Sequence, residues 1–450
     1  MLKVLLTLLL CGSLFGSEDP TSEIRVQLTT DSRLEPLYLG SFQKEATPLT
    51  DAYLKELEQV LKFDLNYSGH THVLTKNAEK ETILLNNDIA KAFEKNLWRK
   101  FGAAHVVKGI IQNSTLTVLV FSSQSGKLKS FKDVSLTGTL ATDRGQIHKL
   151  ADAINEALFN SASFANTRIL YCVQMKSSIG GTDWISEIWE CDWDGKNARQ
   201  ITKENSYCVT PVFLPSKNGT KDRFLYVSYK IGQPKIYIAS LKEAAGKRLV
   251  DLKGNQLLPT LSLNCDKLAF ICDAGGRTDL FVQDFSPNGA ESGRPKQLFS
   301  YPRSTQASPT FSPDGSMIAF VSDKDGPPRI YVIPSKAQEK RAEARLITKQ
   351  NKESSCPAWS PDGTKLAYSA KVNAVRQIWV YDFKTGEERQ LTAGPGHKEN
   401  PTWAPDSLHL VFNSTDPLSS ELYLVNLNQP EAIKITQGIG KKQYPTWGPK

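Results

Sequence analysis

The chain has 450 residues, 40% hydrophobic and 23% charged, with a formal net charge of +8. That is long enough for two domains and ordinary for a soluble globular protein. Basic residues are interspersed with acids, as in Glu339-Lys340-Arg341-Ala342-Glu343, so the charge reads as solvated loops of mixed sign and argues against nucleic acid. Beyond residue 17 no stretch is apolar enough to span a membrane.

Residues 1–17 read as a secretory signal: Lys3, an apolar run from Val4 to Leu10, then Gly12, Ser13, Gly16 and Ser17, with cleavage near Ser17. Cys11 follows Leu10, which is not the small residue a lipoprotein site requires. Next comes Glu23-Ile24-Arg25-Val26-Gln27-Leu28. Its polar and apolar alternation fits a strand, either added to a partner's sheet edge or opening the next domain. Residues 18–160 have the grammar of an α/β domain. Apolar spacings of three and four predict one helix through Leu54, Leu57, Val60 and Leu61 capped by Asp51, and a second from Ile89 to Phe101 that stops at Gly102. A third runs through Ile147, Leu150, Ala151, Ile154 and Leu158. Strand-like runs lie at 37–42, 72–74, 105–112 and 116–122.

From residue 168 onward one motif repeats. PTFSPDGSMIAFVSDKDGPPRIYVI starts at Pro309, PAWSPDGTKLAYSA at Pro357 and PTWAPDSLHLVFNS at Pro401; weaker copies start at Pro211 and Pro259, and PTWGPK at Pro445. Each unit supplies a strand, a Pro-Asp-Gly hairpin, an alternating strand, an aromatic third strand such as Ile330-Tyr331-Val332, and a fourth such as Arg345 to Thr348. Four antiparallel strands that cannot bury both faces alone stack as a β-propeller. The last copy has only its first strand. The missing three stand at 168–173 (RILYCV), 188–192 (IWECD) and 199–202 (RQIT), so the terminal strand closes a six-bladed ring over 168–450.

Seven cysteines fall to six after cleavage, with no CxxC or zinc spacing. Cys172 and Cys191 sit on neighbouring strands and are the pair a bridge would join; packing as buried free thiols is the alternative.

This chain resembles the TolB family of periplasmic Tol-Pal envelope proteins. The resemblance rests on an export signal, a β-α-β-α region with FGAAHVVKGIIQ, a helix leading into FANTRILYCV, the PTFSPDG and PAWSPDG repeats, and PTWGP near residue 450. It covers nearly all of the chain after residue 17. It implies a periplasmic, non-catalytic scaffold without cofactor, serving outer-membrane integrity and cell division. Such a scaffold binds a Pal-like peptidoglycan-associated lipoprotein at the propeller mouth and a TolA-like protein through its amino-terminal segment, and associates peripherally with the outer membrane through partners. Carried onto this chain, the TolA-binding segment is Glu23, Ile24, Arg25, Val26, Gln27 and Leu28, although Thr29-Thr30-Asp31 departs from the usual continuation. The mouth loops contain Tyr207, Asn255, Thr305, Glu353, His397 and Lys441, each four residues before its repeat proline.

The rival reading is an exported propeller enzyme or the propeller of a peptidase-related protein. No G-x-S-x-G occurs, and nothing after Pro445 could form a hydrolase domain. His397 has Glu399 nearby, and His409 lies in a strand-like run, but neither has a nucleophile at hand. His70 and His72 lack a third metal ligand. Asp314, Asp362 and Asp406 repeat at the hairpin turns, where local backbone hydrogen bonds explain them; a central ion is the alternative.

Overall fold

A computed structural model describes residues 34–86, 93–176, 184–215, 222–243, 245–286, 293–336 and 343–448. The expected signal, residues 23–28 and part of the second expected helix lie outside these residues.

The amino-terminal region is a mixed sheet covered on both faces. Its order is Thr71–Val73, Glu35–Leu39, His105–Gln112, Thr115–Ser122, Leu128–Ser135, with Gln43–Glu45 also pairing onto His105–Gln112. The first three strands of that order run parallel and the later pairings are antiparallel. Because side chains alternate across a strand, Leu37 and Leu39 face helices Asp51–Asn66 and Leu140–Phe159, while Tyr38 packs with Trp98, Val106 and Phe121 on the other face. The first helix is capped by the Thr50 side chain, which accepts from Tyr53 N, so the expected cap at Asp51 is one residue late. Among the described residues the second expected helix is Lys95–Lys100, ending at Phe101 and Gly102 (φ +74°), and a further helix, Ala78–Asn86, lies before it.

Six four-stranded antiparallel sheets follow. Five are continuous in sequence, at 208–248, 256–299, 306–346, 354–390 and 397–434, and are blades one to five here. Blade six joins Lys441–Trp447 to Arg168–Lys176, Trp184–Asp192 and Arg199–Gln200, as the truncated repeat predicts. Trp447 Nε1 donates to Thr167 Oγ1 at 2.6 Å across 280 residues.

Each innermost strand carries a bulge at its repeat proline, where the pairing register shifts. The preceding residue is left-handed in all six blades: Thr210, Leu258, Ser308, Cys356, Asn400 and Tyr444 have φ between 45° and 54°. The hairpin turns behave as expected. Gly315 and Gly363 have φ of +68° and +76°, and Asp314 Oδ1 accepts from Ser316 N at 3.0 Å, as Asp362 Oδ1 does from Thr364 N. Hydrogen bonds, first from Ser312, hold the Asp314 carboxyl down at about 2.

A threonine after the fourth strand pins the third. Thr202, Thr348, Thr392 and Thr436 accept from the backbone N–H groups of Ile188, Ile330, Ile378 and Leu422. Cysteines 172, 191, 208, 265, 272 and 356 form no disulfide. Cys172 pairs with Ile188 and Cys191 with Ile169, so the two cysteines stand an odd number of positions apart and face opposite sides of blade six. No bridge can join them.

Candidate partner-binding site

Strand direction gives the ring two unlike ends. Innermost strands begin at one end, the mouth, and run toward the Pro-Asp-Gly hairpins at the other. The amino-terminal region docks on the hairpin end of blades five and six.

That seam is a buried polar network. Asp64 accepts from Trp193 Nε1 at 2.9 Å and from His148 Nδ1 at 2.8 Å, while Arg144 bonds Asp192 and Asp194. His409 Nε2 donates to Tyr67 O at 2.7 Å, Gln429 Nε2 to Asn66 O at 3.0 Å and Asn428 Nδ2 to Gly69 O at 2.7 Å. Phe164 stacks on His409 (ring centroids 4.2 Å) and meets Trp193 edge-on (5.0 Å). Asp152 in helix Leu140–Phe159 accepts from the N–H groups of Phe164, Ala165 and Asn166, fixing the connecting turn against the helix. Burial alone would push the His148 imidazole down, but Asp64, Asp192 and Asp194 outweigh it and hold it up at about 10.

The His148, Asp192 and Asp194 donor atoms lie within 4.8 Å of one another, a set that could hold a cation. The Arg144 guanidinium already neutralises both carboxylates, so an ion would have to displace it. His409 is likewise committed to Asp406, Tyr67 and Phe164, and His70 is stacked on Phe159 at 4.9 Å. His72 lies in strand Thr71–Val73.

At the mouth, the six expected positions occupy one register: His397 and Lys441 open their strands, and Tyr207, Asn255, Thr305 and Glu353 directly precede theirs. Thr305 and His397 are exposed and the other four half-buried. Asn255 Nδ2 donates to Asp273 at 2.8 Å, and Thr305 Oγ1 to Asp323 at 2.9 Å. Glu353 pairs with Arg376 and Lys371, and His397 Nδ1 accepts from Arg376 N at 3.3 Å, so Arg376 brings Glu353 and His397 together. Arg376 also reaches Glu399 at 3.3 Å. Tyr207 packs edge-on against Tyr229 at 5.6 Å. Asp273, Asp323 and Arg376 are the mouth residues that sequence reasoning missed. The two aspartates follow the second strand at equivalent repeat positions, FICDAGG and FVSDKDG, and that equivalence was the available signal.

Below the mouth, the residues flanking the six repeat prolines line an axial channel of ≈ 260 Å³, with Trp359 and Trp403 in its wall. Mouth and channel offer hydrogen-bonding groups and a few charges on a rigid frame, a surface for recognition. Among the described residues, His397 meets an arginine backbone N–H and no nucleophile.

Residues 155–450 match the family described as the TolB beta propeller domain. The chain is 50% identical over 387 residues to "Protein TolB homolog" of Protochlamydia amoebophila, covering 85% of this chain and 82% of the relative. It is 41% identical over 302 residues to the protein of the same name in Chlamydia felis, covering 67% of this chain and 70% of that one. The crystal structure of TolB from Acinetobacter baumannii superposes with a TM-score of 0.76 over 93% of this chain and 97% of that one, at 19% identity.

Proposed function

This chain belongs to the TolB family, and from that premise we propose that it is a non-catalytic periplasmic scaffold of a Tol-Pal system. In this reading the propeller mouth binds a Pal-like lipoprotein and residues 23–28 engage a TolA-like protein. The division into an amino-terminal domain (18–160) and a propeller (168–450) is part of the proposal.

One observation carries it. The described part of the amino-terminal region docks on the hairpin end of blades five and six, the end opposite the six register-equivalent mouth positions. Those positions differ from blade to blade, as suits an asymmetric protein surface better than a small substrate. The catalytic alternative gains nothing from the two propeller histidines, since His409 is sequestered at the seam and His397 has an arginine as its neighbour.

Capture of the soluble domain of a Pal-like lipoprotein by the purified chain tests the mouth assignment. Deleting residues 23–28 should leave that capture and the far-ultraviolet circular dichroism unchanged while weakening binding of a TolA-like domain. Collapse of the spectrum would instead place the segment in the core.

A further inference from the structure

The mouth end carries a feature that the six loop positions do not explain. Trp184, Ile231, Leu418 and Ile439 are 45%, 55%, 92% and 88% exposed, and all four lie at this end, on blades five, six and one. Leu418 is in the loop between the second and third strands of blade five, and Ile439 is in the crossing from blade five to blade six. Trp184 opens the third strand of blade six, and Ile231 occupies the blade-one loop equivalent to that of Leu418.

Hydrogen bonds and strand pairings join these positions into one arc. Ser420 Oγ donates to Lys442 O at 2.8 Å, tying the Leu418 loop to the strand after Ile439. Lys441 pairs with Gln174, and Lys176 pairs with Trp184. Ser186 bridges to Tyr207, whose carbonyl accepts from Tyr229 N at 3.2 Å, beside Ile231. The arc is also cationic. Lys176 lies 6.0 Å from the Trp184 ring centroid, and Lys203, Lys230 and Lys441 stand along the same edge. Glu204 (bonded to Lys230) and Asp416 (beside Lys441) oppose them, while Lys442 and Glu421 cancel as a buried pair.

We propose that this arc seats on an anionic lipid surface. Its apolar side chains stand on four separate segments with lysines between them. A protein partner would need a shaped socket for each projection, whereas a fluid bilayer accepts each independently and repays lysines at its anionic headgroups. The described residues of the amino-terminal region sit at the opposite end of blades five and six, so they do not obstruct a bilayer there. Among its side chains, this contact shares only Lys441 with the mouth positions assigned to a protein partner.

The test is co-sedimentation of the purified chain with vesicles of phosphatidylethanolamine and phosphatidylglycerol, against phosphatidylcholine vesicles. The chain should bind the anionic vesicles and release in high salt. The double variant Leu418→Ser/Ile439→Ser, altered only at exposed positions, should keep its melting temperature and bind at least about tenfold more weakly. Lys176→Gln should cost about fivefold. Absence of wild-type binding to anionic vesicles, or binding that the double variant retains, overturns the proposal. Loss of Pal-like capture in the double variant without any vesicle binding by the wild type also overturns it and assigns the arc to a protein. Vesicle binding that persists when mouth variants lose Pal-like capture supports two separate contacts.

Discussion

The two ends of the propeller are built from the same repeat yet treat charge in opposite ways. At the hairpin end of blades five and six, helices from the amino-terminal region bury Asp64, Arg144, His148, Asp192 and Asp194, and each is paired with another. At the mouth, Asn255, Thr305 and Glu353 are tied to Asp273, Asp323 and Arg376 of their own blades, with Thr305 exposed and Asn255 and Glu353 half-buried rather than sealed in the core. The first arrangement fixes one body on another, because breaking a buried pair strands a charge. The second holds side chains in place while leaving them available to a partner.

The strongest way to break this contrast is to open the ring on which both ends depend. A chain ending at Lys442 loses Tyr444 and the buried Trp447 and leaves Arg168–Lys176 as a bare edge. A loss of about 5 kcal/mol or more is expected, read as a large drop in melting temperature; an unchanged melt would refute closure by the terminal strand.

Asp64→Ala acts only at the seam. It strips Trp193 Nε1 and His148 Nδ1 of their acceptor and should cost about 3–5 kcal/mol in urea unfolding, with Pal-like capture unchanged in the folded fraction. Lost capture at full stability would show that the two ends are not independent.

The seam should also carry a pH signature. The His148 pKa is raised from 6.5 to about 10, so its contribution is complete below 6.5 and fades as pH rises through about 10. Asp192 is depressed below 3.8, with burial opposed by His148, Arg168 and Arg144, so its contribution is present above 3.8 and fades as pH falls through its folded value. Denaturation midpoints across the alkaline range should decline for the wild type and flatten for His148→Gln; parallel curves would assign the decline elsewhere.

The smallest effect belongs to the mouth. His397→Glu should weaken Pal-like binding by about 1 kcal/mol with little change in melting temperature, and Asp362→Asn at the hairpin end should leave binding alone. The reverse result would put recognition on the wrong face.

The architecture was legible because it repeats: proline, hairpin and aromatic strand recur often enough to reveal six blades and a borrowed strand. Local departures had separate causes. Strand Leu128–Ser135 escaped because six of its eight residues, including two lysines and an aspartate, are exposed, as an edge strand permits. The left-handed residue before each repeat proline ran against the usual extended preference there, and only the bulge at the axis requires it. The seam left a faint trace. Asp64 follows Val60 and Leu61, and Arg144 and His148 flank Ile147, polar residues on apolar helix stripes. A sequence shows such positions as odd; only the docked propeller shows what they meet.

The bond between Thr167 and Trp447 spans 280 residues, and that separation sets an order of assembly. Blades one to five are each local in sequence and can form as their strands appear, whereas blade six waits for its inner strand with one edge unsatisfied. Contacts of such long range are slow to find, and an unpaired edge meanwhile invites other chains. The cost of a ring fastened by its last strand is therefore kinetic: a late interval in which an almost finished molecule is most open to misassembly.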